Sequence, residues 1–384
     1  MKLFVNALST TNESGRQVLC GLLAEWLRQT PDANTLVLLL HPGNQDIAGS
    51  LRSDLHAAQF ARVTVCMANK ICGHWLGRTC YEHVFMRRWV LRSGAAGYLS
   101  PSGGWIRGIP SRQYTLALNP WAMVATGPRG IAGQIKAFLQ RRAYRLAQQH
   151  ADGIGYGSMH MRDLYRQNAG GQTEKRGAIV YPALPCDAIE VMDALWQSAR
   201  ERDPLQILCV SHMAPHKDVE TLLLALQQVR EAHGIPATLR VVGRWSDLRY
   251  RSKVEGLIGQ LSLKDVVTLD GFLTRAELLE AYRRAKVYCL LSRSESFGIP
   301  SVEAQRLGTP VVAAYGSAAS EVCGEGGVYV EPGDAQEAAT QLARLLTDAA
   351  HWQHMSAAAR ENAMRFEYAK TVQPLLQILA PLWQ

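Results

Sequence analysis

No apolar run in this 384-residue chain is long enough to cross a bilayer; the longest, such as Thr35–Leu40, are far too short. Nor do its cysteines pair in C-x2-C fashion. The eight stand scattered at 20, 66, 72, 80, 186, 209, 289 and 323, which argues against a metal knuckle. Several fall in apolar strand candidates and read as reduced core residues of a cytosolic protein. The chain has no G-x4-G-K-[ST], no H-E-x-x-H and no G-x-S-x-G. P-loop nucleotide hydrolysis, zinc-helix proteolysis and nucleophile-elbow chemistry are therefore set aside. The opening Met1–Leu8 has one basic residue and a very short apolar stretch, so a first strand is expected there rather than a signal peptide.

A hydrophobic content of 47% with 19% charged residues is that of a soluble globular protein. The length suits two or three domains, each with its own core. Residues 1–190 hold 21 Lys and Arg against 11 Asp and Glu, and the remainder 20 against 22. The basic half points to an anionic partner: a phosphorylated acceptor, an acidic lipid surface or a nucleic acid. A solvated basic surface is the plain alternative.

Strand and helix signals alternate throughout, which predicts parallel α/β architecture. In the first half, Lys2–Ala7 leads into an amphipathic helix, Val18–Arg28. Strands are expected at Thr35–Leu40, Arg62–Met67, Gly97–Leu99, Tyr114–Leu118, Gly153–Tyr156 and Ala178–Tyr181. A basic helix is expected from about Gly133 to His150. A second series opens at Leu205–Val210 and continues through Thr238–Val242, Val266–Leu269, Val287–Leu291, Pro310–Ala313 and Gly327–Val330. Between them Pro182–Pro204 reads as a linker, with Ala188–Arg200 as a candidate helix inside it. The region Cys72–Pro110 interleaves Arg78, Arg87, Arg88, Arg92 and Arg107 with Trp75, Trp89 and Trp105. It reads as an acceptor groove, a membrane-surface patch or ordinary core.

The segment richest in chemistry is Ser294–Ala304, in which Glu295 and Glu303 stand eight positions apart around a strand-to-helix turn. Pro300 suits a first helical turn, where its missing N–H costs nothing. The amides of Phe297, Gly298 and Ile299 would then face an anion at the helix start, and Gly298 allows close approach to the backbone. That makes a phosphate seat flanked by two carboxylates suited to sugar or ribose hydroxyls. A dipole-complementing Glu on a plain connection is the simpler reading of the same residues.

With the strand before it and Gly308-Thr309-Pro310-Val311-Val312-Ala313 after it, this segment resembles the E-x7-E motif of the retaining glycosyltransferases of family 4. Ser211-His212, with Lys217 five positions after His212, is similar to the family's small residue, Arg and Lys, where the two cations neutralise the donor diphosphate. Lys217 fits the Lys position, but His212 stands where the family has Arg. Histidine is a weaker, pH-dependent cation. Val241-Val242-Gly243 resembles the strand-end glycine beside the donor, and Leu269–Leu273, with Phe272, the segment framing the nucleobase. Gly316-Ser317, Glu321-Val322 and Glu331–Asp334 match the tail of the family domain. The resemblance covers residues 205–345 well and the first half loosely. There, Gly15 matches a glycine loop near the donor phosphate, an ordinary turn being its alternative. Asn119 and Arg129 fall on the acceptor side, with a buried turn the alternative for Asn119.

The resemblance implies a GT-B fold of two Rossmann-like domains facing each other across a central cleft. An acceptor domain would span 1–185, a linker 186–204, and a nucleotide-sugar domain 205–365. A C-terminal helix, 366–384, would return to the first domain. It implies a retaining, metal-independent hexosyltransferase with no cofactor. The sugar would pass from a UDP- or GDP-linked donor to a hydroxyl of a glycan or lipid-linked saccharide, the acceptor being anionic. The family expectation is bacterial surface polysaccharide or lipopolysaccharide synthesis, at a cytoplasmic location with peripheral contact to the inner membrane. The chain has no Asp-x-Asp, the metal-diphosphate motif of the other major glycosyltransferase fold. Lys217, His212 and the Phe297–Ile299 amides would stabilise the leaving diphosphate. Glu295 would bind donor-sugar hydroxyls and Glu303 the ribose. The rival is a non-catalytic nucleotide-sugar-binding or scaffold subunit, which His212 favours. A nucleic-acid-binding protein is suggested by charge alone, without a recognised motif.

Overall fold

The computed structural model describes residues 1–124, 130–171, 174–198 and 201–383. The chain divides into two compact units, Met1–Pro185 with Glu367–Gln384, and Cys186–Phe366.

The first unit is built on β1 (Lys2–Asn6), β2 (Thr35–Leu40), β3 (Val63–Met67), β4 (Gly97–Ser100), β5 (Arg112–Ala117), β6 (Gly153–Tyr156) and β7 (Gly177–Ile179). Their order is β3-β2-β1-β4-β5-β6-β7, and every pairing is parallel. This is the doubly wound order, reversing direction beside β1. The central strands are buried on both faces, which is why they read as apolar runs rather than alternations. Glycines admit the C-terminal segment. A methyl group on Gly21 would stand 2.1 Å from the Tyr368 ring, and one on Gly97 or Gly153 would stand 2.4 Å from Leu382 or Ile378.

The second unit repeats the plan with β8 (Gln206–Val210), β9 (Thr238–Val242), β10 (Val267–Asp270), β11 (Val287–Leu290), β12 (Val311–Ala314) and β13 (Gly327–Val330). The order β10-β9-β8-β11-β12-β13 is again parallel throughout, with its switch point between β8 and β11. Ligands of such sheets bind beyond the carboxyl ends of the strands, at that point. The expected α/β architecture of two Rossmann-like sheets is thus present.

The stretch 186–204 carries a helix near the one expected inside it. Cys186–Gln197 is an α-helix counted in the second unit, and its Asp193 carboxylate takes Arg306 on both oxygens (2.8 and 2.7 Å). Arg202 donates to the carbonyls of Arg283 and Ala285 (2.7 and 2.8 Å) and to Thr309 Oγ1 (2.8 Å). These anchored polar groups fasten the segment to the second sheet, and a composition-based reading does not register them.

The cysteines form no disulfide among the described residues; Cys20, Cys72, Cys209, Cys289 and Cys323 are buried, while Cys80 and Cys186 are exposed. In the Trp/Arg region, Trp75–Ser93 is one helix. Trp89 and Trp105 pack against the core clusters of the first unit, as ordinary core aromatics do. Among the described residues no helix is long and apolar enough to cross a membrane.

Candidate functional site

The apolar strand β8 ends at Val210, and the chain then turns through a short 3-10 segment, Pro215–Lys217, with Pro215 at its start. Asp218 follows with φ 53°, in the left-handed region, where an Asp is among the better-tolerated non-glycine residues. From there the helix Val219–Glu231 begins. The Asp218 carboxylate is buried and accepts from Arg293 Nε at 2.9 Å. The His216 carbonyl accepts from the Arg293 amide (2.8 Å) and Ser292 Oγ (3.1 Å). The loops after β8 and β11 are therefore cross-tied. Their junction sets Lys217 Nζ 2.5 Å from Glu295 Oε1, with both side chains 12% exposed. Burial, reinforced by the Lys217 charge, pulls the His216 imidazole below its ordinary pKa, so it is neutral at pH 7. His212 lies exposed on the same loop.

The helix Ile299–Arg306 starts from Gly298, which has φ 94° and no side chain with which to cap. Pro300 has no N–H and the Ser301 amide donates to the Gly298 carbonyl (3.0 Å), so the Ile299 amide is the first-turn donor left for solvent or an anionic ligand. Pro300 sits in that turn. Glu303 is buried on the helix, and its Oε1 accepts from Arg275 Nη1 at 2.5 Å. Arg275 opens the helix Arg275–Arg284, fixed by a capping box in which Glu277 Oε2 accepts from the Thr274 amide at 2.8 Å. The Phe297 side chain is buried edge-on against Phe366, with centroids 5.2 Å apart. Only its backbone can meet a ligand.

Beyond the strand ends, the β8–β9–β10 ladder continues. Ser211 N donates to Val242 O (3.1 Å), Met213 N to Arg244 O (2.8 Å), and Gly243 N to Asp270 O (3.2 Å). Gly243 has φ 145°, and a methyl group there would stand 1.7 Å from the Ser211 carbonyl oxygen. No other residue fits this approach. Phe272 is 64% exposed, with the Arg244 guanidinium 4.7 Å over its ring.

The second unit thus brings Lys217 onto Glu295, and aligns His212, Gly243 and Phe272 along one sheet edge. Gly298, Ile299 and Glu303 share one helix start. Gly15 and Asn119 lie in the first unit and have local explanations. The Gly15 amide donates to Asn12 Oδ1 (3.1 Å) in the first turn of a helix, a capping contact. Asn119 is exposed rather than in a buried turn, and its Oδ1 accepts from the Trp121 amide at 2.9 Å. Arg129 lies outside the described residues. Arg275 and Arg244 are site residues that sequence reasoning passes over. The Thr-x-x-Glu box at Thr274–Glu277 marks the helix that carries Arg275, but nothing local marks Arg244.

Residues 193–362 match the family described as glycosyl transferases group 1. The chain is 30% identical over 218 residues to D-inositol 3-phosphate glycosyltransferase of Thermobifida fusca, covering 54% of this chain and 50% of that protein. It is 34% identical over 143 residues to MMP alpha-(1->4)-mannosyltransferase of Mycolicibacterium hassiacum, covering 36% and 34%. The chain therefore spans half or less of the length of these curated relatives. Among solved structures it resembles sucrose-phosphate synthase of Thermosynechococcus elongatus (TM-score 0.74, 18% identity, 100% of this chain and 99% of that one). It also resembles Anabaena HepE in complex with UDP-glucose (TM-score 0.70, 17% identity, 100% and 99%). At that identity the likeness concerns the fold. Residues 193–362 thus resemble a glycosyl transferases group 1 domain, in a two-sheet fold like that of these structures along the whole chain.

Proposed function

We propose that the protein is a retaining glycosyltransferase that moves a hexose from a UDP- or GDP-linked donor to a hydroxyl of a glycan or lipid-linked saccharide. The observation that carries this reading is the Lys217–Glu295 pair (2.5 Å) beside the open helix start at Gly298. It sets a cation, a carboxylate and backbone donors at the switch point of a parallel sheet. As the sugar–phosphate bond breaks, charge develops on the leaving diphosphate, and Lys217 with the Ile299 amide stabilises it. Glu295 hydrogen-bonds hydroxyls of the sugar, and Glu303, oriented by Arg275, binds those of the ribose. The acceptor hydroxyl attacks on the face the diphosphate leaves, its oxygen bonding to the anomeric carbon as the sugar–phosphate bond breaks and its proton passing to the departing phosphate oxygen, without a resident metal or cofactor. The curated relatives named for inositol-phosphate glycosyl and mannosyl transfer support the reaction class. A role in cell-surface polysaccharide or lipopolysaccharide assembly, on the cytoplasmic side, is part of the same reading.

Turnover separates this reading from a binding or scaffold subunit, which the imidazole at His212 would suit. Incubated singly with common UDP-, GDP- and dTDP-sugars, the protein is expected to release one free nucleoside diphosphate, faster with a sugar acceptor. Glu295→Ala should stop the release. Binding without release from any donor would favour the non-catalytic subunit.

The acceptor side of the proposal rests on the helix Gly130–His150, which contains no Asp or Glu. Its Ala137, Tyr144, Ala147 and Gln148 are buried, while Ile131, Ile135, Phe138 and Leu139 on the opposite face are 42–81% exposed. Lys136, Arg141, Arg142 and Arg145 punctuate the same helix. An apolar stripe set among cations suits an anionic lipid surface. The protein is expected to float with vesicles containing phosphatidylglycerol and not with neutral ones. Ile135→Asp/Phe138→Asp should remove that binding; equal binding of this variant would contradict the assignment.

A further inference from the structure

We propose that Arg244 is a second cation gripping the donor diphosphate, at the edge where His212 offers an imidazole. The inference rests on the donor-site reading above and adds a residue that reading does not contain.

It follows from the charges at the strand ends. Lys217 is paired with Glu295 at 2.5 Å, Arg240 with Asp270 at 2.5 Å, Arg275 with Glu303 at 2.5 Å and Arg293 with Asp218 at 2.9 Å. Each of these cations is already balanced by a carboxylate. A diphosphate brings more than one negative charge, so the paired cations leave part of it uncompensated. Arg244 is exposed and, among the described residues, makes no ion pair. Its guanidinium carbon lies 4.7 Å over the Phe272 ring.

The backbone sets where that charge stands. Val210 is in register with Val242, and Val242 with Asp270. Two residues further along each strand come His212, Arg244 and Phe272, and the Met213–Trp245 bridge shows that the β8–β9 register persists there. Arg244 therefore stands between His212 and Phe272, one residue after the glycine that lets the two loops touch. Attraction to the Phe272 ring face holds the Arg244 guanidinium beside it, and its planar fork carries five N–H donors. It can then present a two-pronged edge to phosphate oxygens. Because Phe272 and Arg244 are both exposed, the stack covers no core; its effect is to hold the fork in place.

Calorimetric titration with UDP and GDP, and with UMP and GMP, tests this. The wild type is expected to prefer one diphosphate over its monophosphate. Arg244→Ala should weaken the diphosphate by about tenfold, near 1.4 kcal/mol, and leave the monophosphate unchanged, so that the preference collapses. Arg244→Lys should recover part of it, and His212→Ala should reduce it less than Arg244→Ala does. An unchanged preference in Arg244→Ala, with an unshifted melting temperature, would overturn the assignment while leaving the donor site standing. If the wild type binds neither diphosphate, the donor site and the role of Arg244 fall together.

Discussion

Replacing Lys217 by alanine is expected to lower sugar transfer by about 10²–10³-fold, the range for removing one preorganised partner of developing charge. The cost has two parts that can be separated. The first is chemical: the ammonium that meets the leaving diphosphate is gone, and substrate cannot restore it. The second is structural. Glu295, 12% exposed and 2.5 Å from Lys217, would be left as a largely buried carboxylate without its cation. Breaking such a pair from one side is destabilising, here by up to about 3 kcal/mol. The double variant Lys217→Ala/Glu295→Ala should therefore regain much of the lost melting temperature and none of the activity. A merely structural pair would behave differently, its activity returning with its stability. The Lys217→Ala rate, the double-variant rate and both melting curves decide between the two.

A single methyl group at Gly243 is expected to have the second large effect. At φ 145° an L-residue is strained, and its Cβ would sit 1.7 Å from the Ser211 carbonyl oxygen. The loops after β8 and β9 would have to part. That breaks the Ser211–Val242 and Met213–Arg244 backbone bonds (3.1 and 2.8 Å). Gly243→Ala should cost roughly 2–3 kcal/mol and lower the melting temperature by about 5–10 °C. Because His212 and Arg244 ride on the two loops, nucleotide affinity should fall in the protein that remains folded. Gly256 supplies the control: it lies inside the helix Leu248–Gln260, and a methyl group there would meet nothing within 4 Å. Gly256→Ala should be neutral or slightly stabilising. Equal melting temperatures for the two variants would contradict this account of the strand-end junction.

Much of the fold was legible because doubly buried parallel strands write themselves as apolar runs. Thr35–Leu40, Gly153–Tyr156, Thr238–Val242 and Gly327–Val330 have the expected bounds, and the others shift by a residue or two. In 186–204 the helix was legible, but the long-range polar anchoring that fastens it was not. Asp193 and Arg202 look like surface residues until Arg306 and the Thr309 turn fold onto them. At the site, Pro300 and Gly298 announced the helix start, Glu295 stood out by its spacing from Glu303, and Lys217 by resemblance to the family motif. Their mutual pairing, 78 positions apart in sequence, could not be read from either segment alone. The same holds for Glu303 with Arg275. Arg244 acquires meaning only through register, since its neighbours His212 and Phe272 come from other strands. Gly15 shows the reverse case, a glycine in a suggestive place whose amide is taken by a local cap.

The central claim is that the carboxyl end of the β8–β13 sheet binds a nucleotide-diphosphate sugar. Calorimetric titration of the wild type and of Glu303→Ala with UDP-, GDP- and dTDP-sugars tests it most directly. The expected result is selective binding of one nucleotide class, with affinity strongly reduced in Glu303→Ala while the variant stays folded. Absence of binding for every donor at millimolar concentration, or affinity unchanged in Glu303→Ala, would contradict the claim.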